Sequence, residues 1–147
     1  MRRTLINEFS MTFLAKSENE SFARQTVTAF IAQLDPTVSE LADIRTAVSE
    51  AVTNSIIHGY RSAPPTQNNQ VYITAKYYSD RTIVIRIRDK GCGIADIELC
   101  RQPLYTTDKS GERGGMGFAI MENFCDKIKI HSVVGRGTTI CLTKKLT

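Results

Sequence analysis

The sequence predicts an α+β fold: a two-layer α/β sandwich whose mixed, mostly antiparallel sheet carries helices on one face. Three observations lead there. A segment with period-two alternation opens the chain, two capped helical stretches follow it directly, and the later strand-like segments come in pairs joined by short turns. The 147 residues are most simply one domain, 1–147, large enough to bury a core of its own.

In residues 5–15, Leu5, Phe9, Met11, Phe13 and Ala15 share one parity, with Glu8, Ser10 and Thr12 on the other. That is a half-buried strand despite Asn7. Ser17-x-x-Glu20 has the form of a capping box. Behind it Ala23, Val27, Phe30, Ile31 and Leu34 recur at helical spacing until Asp35-Pro36 ends the helix. Thr37-x-x-Glu40 repeats the capping signal, and Leu41, Ile44, Val48, Val52 and Ile56 form the apolar stripe of a second helix that Gly59 can stop. Arg61 to Gln70 is rich in Pro, Asn, Ser and Gln and reads as an exposed loop.

Val71–Tyr78 and Thr82–Arg88 alternate and are β-branched, a hairpin across Ser79-Asp80-Arg81. The glycine-punctuated run Asp89-Lys90-Gly91-Cys92-Gly93-Ile94 follows, then a short helical piece around Asp96–Arg101. Residues 103–115 have no periodicity and many small or polar side chains, as expected of a mobile loop. Met116–Phe124 reads as a helix, and Lys127–Val133 with Thr138–Thr143 as a closing hairpin across Gly135-Arg136-Gly137.

Bulk composition narrows the function classes. Hydrophobic residues make up 41% and charged residues 23%, ordinary for a globular domain. No apolar run approaches the ~20 residues of a membrane span, and Asn7, Glu8 and Ser10 interrupt any signal-peptide core, so the expectation is cytoplasmic, without a membrane. Cys92, Cys100, Cys125 and Cys141 form no C-x-x-C pair, which argues against a zinc site. The net charge of +4 is mild, and Lys and Arg are scattered without a dense basic run. Charge alone leaves nucleic-acid binding open, and no direct nucleic-acid partner is expected.

Three segments carry candidate chemistry. Glu50 and Asn54 are four residues apart on the second helix and point the same way. One can take a proton, and the other can hold a ligand or metal ion without adding charge. At ~100° per residue they lie roughly opposite the centre of the apolar stripe, so taken alone they read as a solvated helix face. Asp89 ends an apolar strand just before Gly91 and Gly93. A carboxylate there can accept from an exocyclic amine such as that of adenine, but taken alone it reads rather as an Asp capping a turn. Gly114-Gly115-Met116-Gly117 runs into a helix and could present backbone N–H groups to a phosphate. It is neither a P-loop nor a dinucleotide fingerprint, and the protein-kinase motifs are absent.

Together the segments say more. Glu50-x-x-x-Asn54-x-x-x-His58-Gly59, Asp89-x-Gly91-x-Gly93-Ile94, Gly115-x-Gly117-Phe118 and Gly137-Thr138-Thr139 resemble, in order and context, the motifs of the GHKL ATPase superfamily, whose ATP site is the Bergerat fold. Ser21-Phe22-Ala23-Arg24, Ala32 to Thr37, Val48 to Tyr60, Arg101 to Leu104 and Met116 to Phe124 are further similar to the anti-sigma F factors of spore-forming bacteria. That resemblance covers nearly the whole chain. It implies an ATP-dependent protein-serine kinase that binds and silences the sporulation sigma factor F and phosphorylates a serine of the anti-anti-sigma factor, acting as a homodimer.

By the same resemblance Glu50 is the general base and Asn54 the ligand of the Mg²⁺ that bridges the phosphates of ATP. Asp89, helped by Thr139, pairs with the adenine amine. Gly91, Gly93 and Ile94 shape the adenine pocket, residues 103–115 form the lid, and Gly115, Gly117 and Phe118 lie beneath the phosphates. Arg24 contacts both protein partners, where it would otherwise read as a solvated helix arginine, and Arg113 could touch phosphate or partner. Ala95 stands where a proline often follows the G-x-G-I segment, and the 61–70 loop is longer than expected. Two alternatives stay open. One is the ATP-binding module of a histidine kinase, which needs a phosphorylatable histidine on a helical hairpin, whereas only His58 and His131 occur. The other is a non-catalytic, nucleotide-gated binding protein in which Glu50 is idle.

Overall fold

The computed structural model describes residues 3–60, 69–95 and 117–147. In chain order it places β1 (Leu5–Leu14), α1 (Glu18–Ile31), a 3₁₀ turn (Ala32–Leu34) and α2 (Val38–Thr53), which continues as a π-turn (Asn54–Gly59). β2 (Gln70–Tyr78), β3 (Thr82–Asp89), α3 (Gly117–Phe124), β4 (Lys127–Val133) and β5 (Gly137–Lys145) follow. The five strands form one sheet in the order β1-β2-β3-β5-β4. Each described pairing is antiparallel, so the sheet is more uniform than the mixed one expected. The predicted helical piece at 96–101, the loop of 103–115 and most of the 61–70 loop lie outside the described residues.

The alternation read in the strands decides which face is covered. Val71, Ile73, Ala75 and Tyr77 of β2 are buried, as are Ile83, Ile85 and Ile87 of β3 and Ile140 and Leu142 of β5. Against them lie Ala23, Val27, Phe30 and Ile31 of α1, and Ile44, Ala47, Val48, Ala51 and Val52 of α2. Burying such side chains contributes roughly 1.5–3 kcal/mol each, the main driving force for the sandwich. Asn7 falls on the covered parity of β1 and is satisfied there: its amide donates to Gln33 Oε1 at 3.1 Å and to the Tyr77 hydroxyl at 3.2 Å. Leu5 is exposed, because the register shifts between Leu5 and Asn7.

The two capping signals behave differently. Thr37 and Glu40 form the reciprocal box, with Glu40 N–H donating to Thr37 Oγ1 at 3.0 Å and Thr37 N–H to Glu40 Oε1 at 2.9 Å. The Thr37 N–H, with the backbone N–H of Thr147, holds the Glu40 carboxyl below its ordinary range. The box expected at Ser17 does not form. Ser17 is already helical, and the Glu20 carboxylate instead accepts the Ser49 hydroxyl of α2 at 2.5 Å. A cross-helix contact has taken the group that the cap needed.

Candidate functional site

Asn54 is where the backbone of α2 passes from α to π geometry, and single π-turns inside helices cluster at functional sites. The wider turn delivers Ser55 and Gly59, both buried, to the end of β3. Glu50 and Asn54 are half-buried, and they do not face open solvent. They converge on the first residue of α3: a Cβ built at Gly117 would lie 3.0 Å from Asn54 Nδ2 and 3.3 Å from Glu50 Oε2. The absent side chain leaves the pair a narrow space beside the N–H groups that begin a helix. Asn54 Nδ2 is buried and has no hydrogen-bond partner among the described residues, a cost of roughly 1–3 kcal/mol unless another group completes it.

Asp89 forms the second cluster. It lies on the covered face at the end of β3 and is only 4% exposed. Burial pushes its carboxyl above the ordinary 3.8, chiefly by desolvation. The N–H of Gly91, donating to Oδ1 at 2.9 Å, and the backbone of Thr138 act the other way. The Ser55 hydroxyl also favours the charged form, though it falls short of full hydrogen-bond geometry and keeps no formal partner. Among the described residues no cation pairs with Asp89. A carboxylate offers about four acceptor positions, so it retains capacity for a donor from outside.

The glycines around Asp89 are set by close approach. A Cβ on Gly91 would fall 1.7 Å from the carbonyl oxygen of Gly59, which also accepts the N–H of Cys92 at 2.7 Å. Gly93 has φ +76°, in the region that disfavours a side chain, and a Cβ there would fall 2.4 Å from the carbonyl oxygen of Val133. Ile94 is fixed next to them by its N–H donating to Ser132 Oγ at 2.7 Å. Gly59, read from sequence as a helix stop and as the end of the motif that begins at Glu50, presses on the carboxylate: an added Cβ would sit 2.8 Å from Asp89 Cγ. Gly59→Ala is therefore expected to lower stability by about 1–3 kcal/mol through overpacking, read from urea unfolding.

Thr138 rather than Thr139 stands beside Asp89. The register pairs Asp89 with Thr138, and Thr139 with Arg88, so Thr139 points to the opposite face of the sheet. Side chains alternate along a strand, and a one-residue offset reverses the side. The Thr138 hydroxyl bonds Ser132 Oγ at 2.9 Å, joining Thr138, Ser132 and Ile94 in one chain. Thr138→Val should cost about 1 kcal/mol of stability, whereas Thr139→Val should stay within about 0.5 kcal/mol. Chemical denaturation of the two variants checks this.

The remaining candidates are placed as follows. Phe118 is buried in the core. Arg24 lies on α1, 3.8 Å from Glu20 Oε1 and 3.3 Å from Ser21 Oγ, far along the chain from both clusters and in contact with neither in these bonds. Gly115, Arg113 and the 103–115 segment lie outside the described residues. Sequence reasoning missed Tyr60. Its hydroxyl donates to the carbonyl of Gln70 at 2.6 Å and accepts the N–H of Lys90 at 2.8 Å, tying the end of the π-turn to β2 and β3. Burial is the main cause raising its pKa, and the Asp89 charge adds to it. A lone tyrosine before a polar loop carried no signal of that role.

Known proteins resemble this chain in sequence and fold. The family model of the histidine kinase-like ATPase domain matches residues 13–144. The anti-sigma F factor of Shouchella clausii is 57% identical over 143 residues, covering 97% of this chain and 95% of that protein. The anti-sigma F factor of Priestia megaterium is 52% identical, covering 96% and 94%. Among solved structures, the RsbU and RsbW domains of a Mycobacterium tuberculosis protein superpose with a TM-score of 0.70 at 23% identity, over 96% of this chain and 33% of that one. The histidine kinase domain of a blue-light activated kinase from Erythrobacter litoralis gives a TM-score of 0.56 at 16% identity, over 86% and 60%. At such identities these two structures speak for the fold alone. The chain belongs to the histidine kinase-like ATPase domain family and, within it, to the group of the anti-sigma F factors.

Proposed function

We propose that this protein is an ATP-dependent protein-serine kinase that silences the sporulation sigma factor F and inactivates the anti-anti-sigma factor by phosphorylating one of its serines. The observation that carries this is the convergence of Glu50 and Asn54, whose Nδ2 has no partner among the described residues, on the side-chain-free start of α3. The relatives named as anti-sigma F factors support the choice of partners.

In this account Asp89 accepts the adenine amine, with Thr138 on its side of the sheet, and Gly91, Gly93 and Ile94 form the wall of the pocket. The N–H groups at the start of α3, with Gly115 and Gly117, take phosphate oxygens, as helix N-termini do. Asn54 fits a Mg²⁺ site through its uncharged amide oxygen, since Mg²⁺ takes oxygen ligands and needs few from protein, while the buried Nδ2, without a partner among the described residues, can donate to a phosphate oxygen. When bound, the ion offsets the charge on the phosphates. Glu50 accepts the proton of the incoming serine hydroxyl as its oxygen bonds to the terminal phosphorus, and the bond from that phosphorus to ADP breaks. ADP leaves with the electron pair. A homodimer in the cytoplasm, as expected from the family, is part of the proposal. Among the described residues no helix is long and apolar enough to cross a membrane.

Arg24 tests the partner surface separately. It is partly exposed on α1 and, among the described residues, its side chain bonds Glu20 and Ser21 on its own helix, so charge reversal should not disturb the core. Arg24→Glu is expected to weaken capture of sigma factor F at least about tenfold, since an interface arginine commonly contributes 2 kcal/mol or more, roughly a thirtyfold effect. ADP affinity should be unchanged. Co-purification with sigma factor F at wild-type strength would refute the assignment.

A further inference from the structure

The second face of the sheet is not covered by any described helix. The helices pack on the side that holds Ile73, Ile85 and Leu142, and the alternate residues of the strands point the other way. The register gathers cations there. Arg88 and His131 share one rung, on either side of Thr139. Arg86 and Lys129 share the next, on either side of Cys141. Lys76 and Lys127 mark the two sides of a third, with Val84 and Thr143 between them. Arg86, Arg88, Lys127, Lys129 and His131 are all exposed. Across these rungs the one carboxylate is Glu8 on β1, already paired with Lys76 at 3.7 Å. Tyr72 lies among the cations, with the Arg88 guanidinium 6.0 Å and the Lys90 ammonium 4.9 Å from its ring centre.

We propose that this face binds single-stranded nucleic acid through its phosphate backbone, without sequence preference. The charge is of one sign and arranged in rows. Arg86 and Arg88, two residues apart on one strand, are separated by about 6.8 Å, a reach suited to successive phosphates of an extended chain. On the three cationic rungs the one aliphatic side chain of β2 to β5 is Val84, which is half-buried, and the exposed Val133 stands at the margin on the next rung, opposite Gly137. Protein partners are held by an apolar and aromatic centre from which charges are depleted, whereas nucleic-acid surfaces are polar and strongly positive. An open sheet does not enter a duplex groove, which takes a helix or a two-stranded ribbon. It can lie along an unpaired strand whose bases stack on an aromatic ring. The face is on the opposite side of the sheet from Asp89, so the inference stands apart from the proposed kinase chemistry.

The test is fluorescence anisotropy with a labelled oligothymidylate of about 16 nucleotides, with a duplex of equal length and polyglutamate as separate arms. With four phosphates contacted, affinity should fall about fiftyfold between roughly 50 and 200 mM salt, from a slope near −0.7 per contact. Arg86→Gln/Arg88→Gln/Lys129→Gln should weaken binding more than tenfold and reduce the slope by about 2. Arg86→Lys/Arg88→Lys, which keeps the charge, should retain most of the binding. An unchanged melting temperature and ADP affinity show that the variants are folded. Absence of binding at low salt, undiminished binding by the triple variant, or tighter binding to the duplex or to polyglutamate would overturn the proposal.

Discussion

Glu50→Gln is expected to keep Mg-ATP binding and partner capture while lowering phosphoryl transfer by about 10²–10⁴-fold, the contribution typical of a positioned general base. The substitution preserves the volume that fits against Gly117, where Glu50 Oε2 lies 3.3 Å from the position of a Cβ. It removes the negative charge and with it the ability to take a proton. Single-turnover phosphate transfer, measured with nucleotide saturating, separates that loss from binding. Wild-type turnover in the variant would leave Glu50 idle and favour a protein that uses nucleotide only to set its shape.

Asp89→Asn should act on binding and on stability in opposite directions. The amide keeps an oxygen for the N–H of Gly91 but loses the charge that accepts the adenine amine, and hydrogen bonds to charged groups contribute roughly 1.5–3 kcal/mol. ADP affinity should fall about 10- to 150-fold. The apo protein should be unharmed or stabilised near neutral pH, because burial raises the pKa of Asp89 and folding without nucleotide works against its charge. For an acid raised in this way, the stabilising effect of the neutral form is full below the ordinary value of 3.8. It is lost as pH rises through the folded value. The asparagine variant should lack that part of the pH dependence. A variant that is less stable than wild type and still binds ADP normally would make Asp89 a structural turn residue.

Most of the fold was legible because strand alternation and helix stripes report burial directly. The strands between Leu5 and Leu14 and between Gln70 and Asp89 follow from parity, and α2 from its stripe and the Thr37–Glu40 box. What was not legible depended on partners distant in sequence. Glu20 abandons its cap for Ser49, a contact 29 residues away. Glu50 and Asn54 read as a solvated face because a helical wheel carries no information about α3, which arrives more than sixty residues later. Thr138 was passed over for Thr139 because two adjacent threonines differ only in side, and the pairing with Asp89 decides the side. The cations of the uncovered face are scattered along the chain at alternate positions, and only the register brings them into rungs.

The central claim is that this site moves the terminal phosphate of ATP to a serine. Mixing the protein with Mg-ATP and its candidate anti-anti-sigma protein, then mapping the substrate by mass spectrometry, addresses it most directly. The account predicts a single phosphoserine that forms with wild type and nearly disappears with Glu50→Gln. An unmodified substrate after prolonged incubation with nucleotide-loaded wild-type protein would contradict it.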